Sequence, residues 1–195
     1  PKVPEVFADS QTVFLANTHP TLQRDLLAQL RSPKLVVCDT MNHWITTERE
    51  SLVATLRVVT GVIVNDGEAR QLTGRMNLME AGEAILKLGP KFVIIKKGEH
   101  GALLLTPDGP AAVPAFPTKN VRDPTGAGDS FAGGVLGYLS AQGRTDFDTL
   151  RHALVRGTVA ASFAIEDFSV RRVEKLTRAE IDQRVNEFVR MLRFD

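Results

Sequence analysis

Asp123-Pro124-Thr125-Gly126-Ala127-Gly128-Asp129-Ser130-Phe131-Ala132-Gly133-Gly134 begins polar and glycine-rich, then passes into a helix with an apolar face at Phe131, Val135, Leu136 and Leu139. This places Gly126, Ala127 and Gly128 at a helix N-terminus, where backbone N–H groups have no partner inside the helix. Those donors and the positive end of the helix dipole suit an anion, and small residues let a phosphate approach the backbone. Asp129 sits oddly beside such an anion. Its charge is a cost there unless the carboxylate has a task, and accepting a proton from an attacking hydroxyl is one. A helix start with an acidic residue in its first turn is the plain structural alternative.

Moving upstream, Asn65 and Glu68 follow the apolar run Gly61 to Val64. In open α/β sheets, ligands sit beyond the carboxyl ends of strands. An amide and a carboxylate three residues apart at such a junction can face one ligand, or can simply cap a helix. Lys96-Lys97-Gly98-Glu99-His100-Gly101 follows Phe92 to Lys96, the most β-prone run of the chain. Gly98 and Gly101 make that loop poor in side chains. Asp39 and Asn17 also stand just past apolar runs, where they either meet a ligand or close a strand end. Trp44, the only tryptophan, is expected to pack rather than stack on a base.

The opening run resembles the signature of the ribokinase-like (PfkB) carbohydrate kinases, commonly written D-T-x-G-A-G-D. Pro124 stands at its second position and Thr125 at its third. The resemblance implies that Asp129 is the general base for a substrate hydroxyl, with the amides of Gly126, Ala127 and Gly128 as the anion hole. Asn65 and Glu68 resemble the family's N-x-x-E motif, in which the glutamate acts on Mg²⁺ through waters and the asparagine lies near the nucleotide phosphates. Mg²⁺ keeps several waters and takes few carboxylates, which suits a single glutamate. Lys96, Gly98, Gly101 and Thr125 then border ATP, and Asp39 and Asn17 lie on the substrate side. In some members the segment of Asp123 and Thr125 and a later loop hold a monovalent cation. Here that loop is Ile165-Glu166-Asp167-Phe168-Ser169, which lacks the usual glycine and puts the cation in doubt.

The remaining pattern reads as short apolar strands alternating with amphipathic helices, the mark of a parallel sheet covered on both faces. Strands are expected at Val13–Ala16, Leu35–Cys38, Gly61–Val64, Phe92–Lys96, Ala102–Thr106 and Ala111–Pro114, the last two joined by a turn at Pro107-Asp108-Gly109-Pro110. Helices are expected from Pro20 to about Leu30, from the capping-box spacing Thr47-Glu50 to about Val59, and, after a turn at Asn65-Asp66-Gly67-Glu68, over a short stretch ending near Thr73-Gly74. Others follow over Asn77–Leu88, from Gly126 to about Ala141, over Asp146–Phe163, and from the capping box Thr177-Glu180 to about Leu192. The fold class is a three-layer α/β/α, Rossmann-like sheet with a small antiparallel hairpin. The resemblance makes residues 1–195 one ribokinase-like domain, incomplete at its N-terminus and without the family's sugar-binding opening and lid.

Composition narrows the function. A net charge of +1 argues against a dedicated nucleic-acid surface, and no stretch is long and apolar enough to span a membrane. The adjacent pair Arg171-Arg172 reads as solvated surface. One cysteine, Cys38, ends an apolar run and is expected in the core, which suits a cytoplasmic protein. No Walker A, zinc-ligand, dinucleotide-binding or nucleophile-elbow pattern occurs. An ATP- and Mg²⁺-dependent kinase for a sugar or nucleoside hydroxyl is the favoured reading; family dimers often form through the lid, and a homodimer is left open. A non-catalytic nucleotide-binding fragment and a sugar-sensing regulator stay open at this point.

Overall fold

The computed structural model describes residues 2–193. Six strands, β1 (Thr12–Leu15), β2 (Leu35–Cys38), β3 (Gly61–Asn65), β4 (Phe92–Lys96), β5 (Ala102–Thr106) and β6 (Gly109–Val113), form one sheet in that order. β1 to β4 pair in parallel, with Leu15 opposite Cys38, Cys38 opposite Val62 and Asn65 opposite Lys96. Strands buried on both faces read as unbroken apolar runs. Accordingly β2 and the first four residues of β3 and β4 are wholly buried. Gly61 is required by its neighbour: Phe92 lies opposite it, and a Cβ on Gly61 would stand 2.2 Å from the Phe92 ring. The two-residue link between β5 and β6 obliges them to run antiparallel. Thr106 Oγ1 fixes that turn, accepting from Asp108 N–H and donating to Gly109 C=O, both at 3.1 Å.

The helices are α1 (Pro20–Leu27), α2 (Asn42–Thr47), α3 (Arg49–Leu56), α4 (Asp66–Thr73), α5 (Leu78–Leu86), α6 (Ala127–Gln142), α7 (Phe147–Ala164) and α8 (Arg178–Met191). No described helix is long and apolar enough to cross a membrane. Two sequence expectations are corrected. α1 stops at Leu27 because Gln29 and Leu30 turn to the carbonyls three residues back, a tighter winding than α. The capping box at Thr47 does not form. Thr47 instead ends a separate short helix and donates its hydroxyl to His43 C=O at 2.9 Å, and Glu48 breaks the path at φ −130°. The box at Thr177 and Glu180 does form.

The chain packs as two compact units. The first comprises the residues up to Lys97 together with Leu103–Ala111. Its core joins Val36, Val62, Val64, Val93 and Ile95 to Leu52, Leu56, Leu72 and Ile85 of the helices. Cys38 is fully buried there, and burial, helped by the charge of Asp39, pushes its thiol far up from its ordinary pKa. The second comprises Gly98–Ala102 and the residues from Ala112 onward. In it Val155, Val159 and Phe163 of α7 meet Val185 and Phe188 of α8, while α6 lies close along α7.

Candidate active site

In the second unit, Gly126 caps α6 at φ 79°, a left-handed conformation that glycine adopts without steric cost. Among the described residues no side chain caps this helix end. Ala127 N–H turns back to Pro124 C=O at 3.2 Å, and Ser130 N–H begins the helical ladder to Gly126 C=O at 2.9 Å. Among the described residues the amides of Gly126, Gly128 and Asp129 take no acceptor. The available donors therefore differ from the trio the sequence suggests: Ala127 is partly spent and Asp129 joins. The Asp129 carboxylate is exposed in the same first turn, with no hydrogen bond or ion pair to a described residue. Ahead of the turn, Asp123 Oδ1 accepts from Thr125 N–H at 2.9 Å, and bonds from Thr125 hold its carboxyl below the usual range. Gly98, at φ 57°, opens a short 3-10 turn, and Gly101 N–H returns to Gly98 C=O at 3.2 Å. Gly101 admits no side chain, since a Cβ there would stand 2.0 Å from Val113 O.

In the first unit the carboxyl edge of the sheet gathers Asn65, Glu68 and Lys96. Asn65 lies opposite Lys96, and the Lys96 charge is felt by Glu68. The plain alternative raised by the sequence is realised here as a reciprocal cap: Asn65 Oδ1 accepts from Glu68 N–H at 2.8 Å and Glu68 Oε2 accepts from Asn65 N–H at 2.7 Å. The cap leaves Asn65 Nδ2 and Glu68 Oε1 without a partner among the described residues. One carboxylate oxygen beside a strand end, with few competing donors, fits a hydrated Mg²⁺ held through water. Burial pushes the Glu68 carboxyl up from its ordinary pKa, against the pull of the Asn65 N–H and Lys96.

That shift sets a pH dependence. A carboxylate whose folded pKa is raised contributes stability in full below its unfolded pKa and loses it as pH rises through the folded value. Glu68→Gln keeps a carbonyl oxygen for Asn65 N–H and removes the ionisation. Its urea midpoint is expected to exceed wild type at pH 8 and to converge with it near about pH 4. Asn65→Ala removes the cap at any pH and is expected to cost about 1 kcal/mol.

Asn17 and Asp39 stand past β1 and β2 as expected. Asn17 is committed to packing, because Trp44 Nε1–H donates to its Oδ1 at 2.8 Å and its Nδ2 donates to Met41 Sδ at 3.2 Å. Trp44 lies edge-on between His19 and His43, with centroids 5.2 and 4.6 Å away. The strand ends are tied by Gln23, a residue that sequence reasoning passed over. From a buried position its Nε2 donates to the carbonyls of Leu15, Ala16 and Asp39 at 2.9, 3.1 and 3.2 Å. One amide on a helix flanked by leucines was the available signal.

The reading of Arg171-Arg172 as solvated is corrected for Arg172. Its guanidinium pairs with Glu166 at 3.2 Å and Glu180 at 2.8 Å. An open cleft of about 500 Å³ lies beside it, lined by Lys119, Asn120, Val121, Arg122, Glu166 and Asp167.

Residues 20–176 match the pfkB family carbohydrate kinase pattern. The chain is 32% identical over 159 residues to a cytidine kinase of Thermococcus kodakarensis, covering 79% of this chain and 56% of that protein. It is 34% identical over 121 residues to the aminoimidazole riboside kinase of Salmonella typhimurium, covering 62% of this chain and 38% of the relative. The chain thus spans about half or less of these relatives' length. Among solved structures, the Salmonella enterica aminoimidazole riboside kinase complexed with aminoimidazole riboside and an ATP analog superposes with a TM-score of 0.76 at 21% identity, over 91% of this chain and 64% of that one. Ribokinase from Thermotoga maritima gives 0.74 at 22% identity, over 93% and 58%. These likenesses show a ribokinase-like α/β fold. The chain belongs to the pfkB family of carbohydrate kinases.

Proposed function

We propose that this chain carries the nucleotide-handling and proton-accepting parts of a kinase that transfers the γ-phosphoryl group of ATP to a hydroxyl of a sugar or nucleoside. In this reading both units belong to one ribokinase-like domain. The observation that carries it is the start of α6, where a left-handed Gly126 leaves amides without an acceptor beside an exposed Asp129 without a partner among the described residues. A structural cap would spend that carboxylate on the amides, whereas here both are left for other partners.

Asp129 takes the proton of the acceptor hydroxyl, whose oxygen attacks the γ-phosphorus in line as the bond to the β–γ bridging oxygen breaks and ADP leaves. The amides of Gly126, Gly128 and Asp129 donate to the phosphoryl oxygens as charge builds on them, and Ala127 contributes once its long bond to Pro124 yields. Glu68 Oε1 would hold Mg²⁺ through water, and the bound ion would supply charge neutralisation on the phosphates. Asn65, Lys96, Gly98, Gly101 and Thr125 border the nucleotide, and Asp39 lies toward the substrate. The named relatives act on a nucleoside and a riboside, and that is the acceptor class to screen first.

Calorimetric titration with a non-hydrolysable ATP analogue, with and without Mg²⁺, tests the reading. Micromolar to sub-millimolar binding that tightens with Mg²⁺ is expected, the tightening being weakened in Glu68→Gln. A chain that melts cooperatively yet binds no analogue in either condition contradicts it.

A further inference from the structure

The segment preceding the anion loop and the loop after α7 meet in the second unit. In some members of the family that the chain resembles, these two pieces enclose a monovalent cation. A cation there needs oxygen atoms free of protein donors, and several of the oxygens here are engaged. Ile165 C=O accepts from both Arg122 N–H at 2.8 Å and Asp123 N–H at 3.4 Å. Asp123 Oδ1 is bound by Thr125 N–H, and Asp167 Oδ1 accepts from Phe168 N–H at 2.8 Å. Both oxygens of Glu166 are taken by guanidinium groups, Oε2 by Arg172 at 3.2 Å and Oε1 by Arg184 at 2.7 Å. With both Glu166 oxygens held by guanidinium groups, that carboxylate is closed to a monovalent cation.

The two arginines are built into the unit. Arg184 lies 3.4 Å from the centroid of the Phe163 ring and donates to Ser162 Oγ at 3.1 Å. Its side chain is 19% exposed and that of Glu166 15%, so their attraction is only partly screened by solvent. Arg172 lies 4.8 Å from the same ring on its way to Glu166 and Glu180. The neighbouring cleft adds Lys119 and Arg122, so its wall carries the cations Lys119, Arg122 and Arg172 against the anions Glu166 and Asp167. A further cation entering there meets like charge. Ser169 completes the loop at φ 57°, left-handed without being glycine. Such a conformation persists where its surroundings hold it.

We infer that Arg172 and Arg184, clamped on Glu166, stand in for the monovalent cation behind the anion loop, so that nucleotide binding is independent of K⁺ and Na⁺. The two arginines are positioning residues: they hold Glu166 and, through Ile165 C=O, the backbone of Arg122 and Asp123 that leads into Gly126. The inference rests on the kinase reading above for its nucleotide readout and on the loop geometry for the rest.

The test is calorimetry with the ATP analogue and Mg²⁺, alongside thermal melting, in KCl, NaCl or tetramethylammonium chloride at equal ionic strength. Wild-type affinity and melting temperature are expected to be the same in all three, within about twofold for affinity. Arg172→Gln and Arg184→Gln are expected to weaken binding roughly tenfold in tetramethylammonium and to regain affinity in K⁺, because the vacated Glu166 oxygens then offer a cation ligands. Arg172, at 26% exposure, is the milder substitution and is the one to read if the Arg184 variant does not fold. A K⁺-specific gain in wild-type affinity or melting temperature overturns the clamp, and so does a folded Arg172→Gln whose affinity equals wild type. If no analogue binds in any salt, the kinase reading fails by itself. The clamp is then judged by melting alone, where a wild-type rise specific to K⁺ overturns it and a rise confined to the glutamine variants supports it.

Discussion

Replacing Asp129 with Asn is expected to lower kcat by about 10²–10⁴-fold while leaving the affinity for an ATP analogue equal to wild type or slightly tighter. The first half follows from proton bookkeeping. Asparagine keeps the shape of the side chain and cannot accept the hydroxyl proton, so the acceptor oxygen must attack while still protonated. The second half follows from charge, because a carboxylate beside phosphates repels them and the amide does not. The folded chain should barely notice the change. Asp129 is exposed and makes no hydrogen bond or ion pair to a described residue, so only its favourable place in the first turn of α6 is lost, about 0.3–1 kcal/mol. A loss of turnover with intact melting and intact analogue binding is the signature of a base. Turnover within a few fold of wild type would remove Asp129 from the chemistry, and a matching loss of melting temperature would make it a structural cap.

Most of the architecture was legible in the sequence because buried parallel strands and amphipathic helices carry their own periodicity. Leu35–Cys38 and Phe92–Lys96 could be bounded to the residue, since every apolar position in them is buried. The turn at Pro107-Asp108 was equally plain, although β6 begins at Gly109 rather than Ala111. Pro110 is tolerated there because β6 lies at the end of the sheet order, where a missing N–H donor is harmless. The region around Trp44 failed for a different reason. Thr47-Glu50 has the spacing of a capping box, but local spacing does not say which side of the threonine is helical. The burial of Ile45 and the bond from Trp44 to Asn17 decide it, and both are tertiary.

The site divides in the same way. A helix N-terminus at Gly126, Ala127 and Gly128 could be anticipated from small residues ahead of an apolar face, whereas the left-handed Gly126 could not. Which amides remain free could not, because the bond from Ala127 N–H to Pro124 C=O depends on loop geometry. Asn65 and Glu68 were foreseen at the strand end, and their mutual cap is the local reading of the same pair. Arg172 and Arg184 were invisible as a pair. They come from a loop and from α8, and only packing brings both guanidinium groups to Glu166.

The helix that presents Asp129 is itself held by glycine, which leads to a large expected loss of stability away from the loop. Gly157 of α7 lies where a Cβ would stand 2.7 Å from Val135 Cγ2 and 2.9 Å from Phe131 C=O. Gly134 of α6 is the reciprocal contact, with a Cβ position 2.8 Å from both Ala160 Cβ and Arg156 C=O. Two of these neighbours are backbone atoms, which cannot rotate aside. A Leu at Gly157 must therefore push the two helices apart over a shared buried surface that includes Phe131 and Val135. The expected cost is about 3 kcal/mol, or a fall in melting temperature of roughly 6–12 °C for a chain of this size. Gly137 supplies the control on the same helix. It is exposed with nothing within 4 Å of its Cβ position, so Gly137→Ala should stabilise by about 0.5–1 kcal/mol through lower backbone entropy cost. Opposite signs for the two substitutions, read in one urea series, identify close helix contact as the cause, whereas equal losses would point to a general intolerance of side chains on these helices. Because Phe131 lies two residues beyond Asp129, the Gly157→Leu variant is also expected to weaken analogue binding at a temperature where it remains folded, joining the packing of α6 to the position of its first turn.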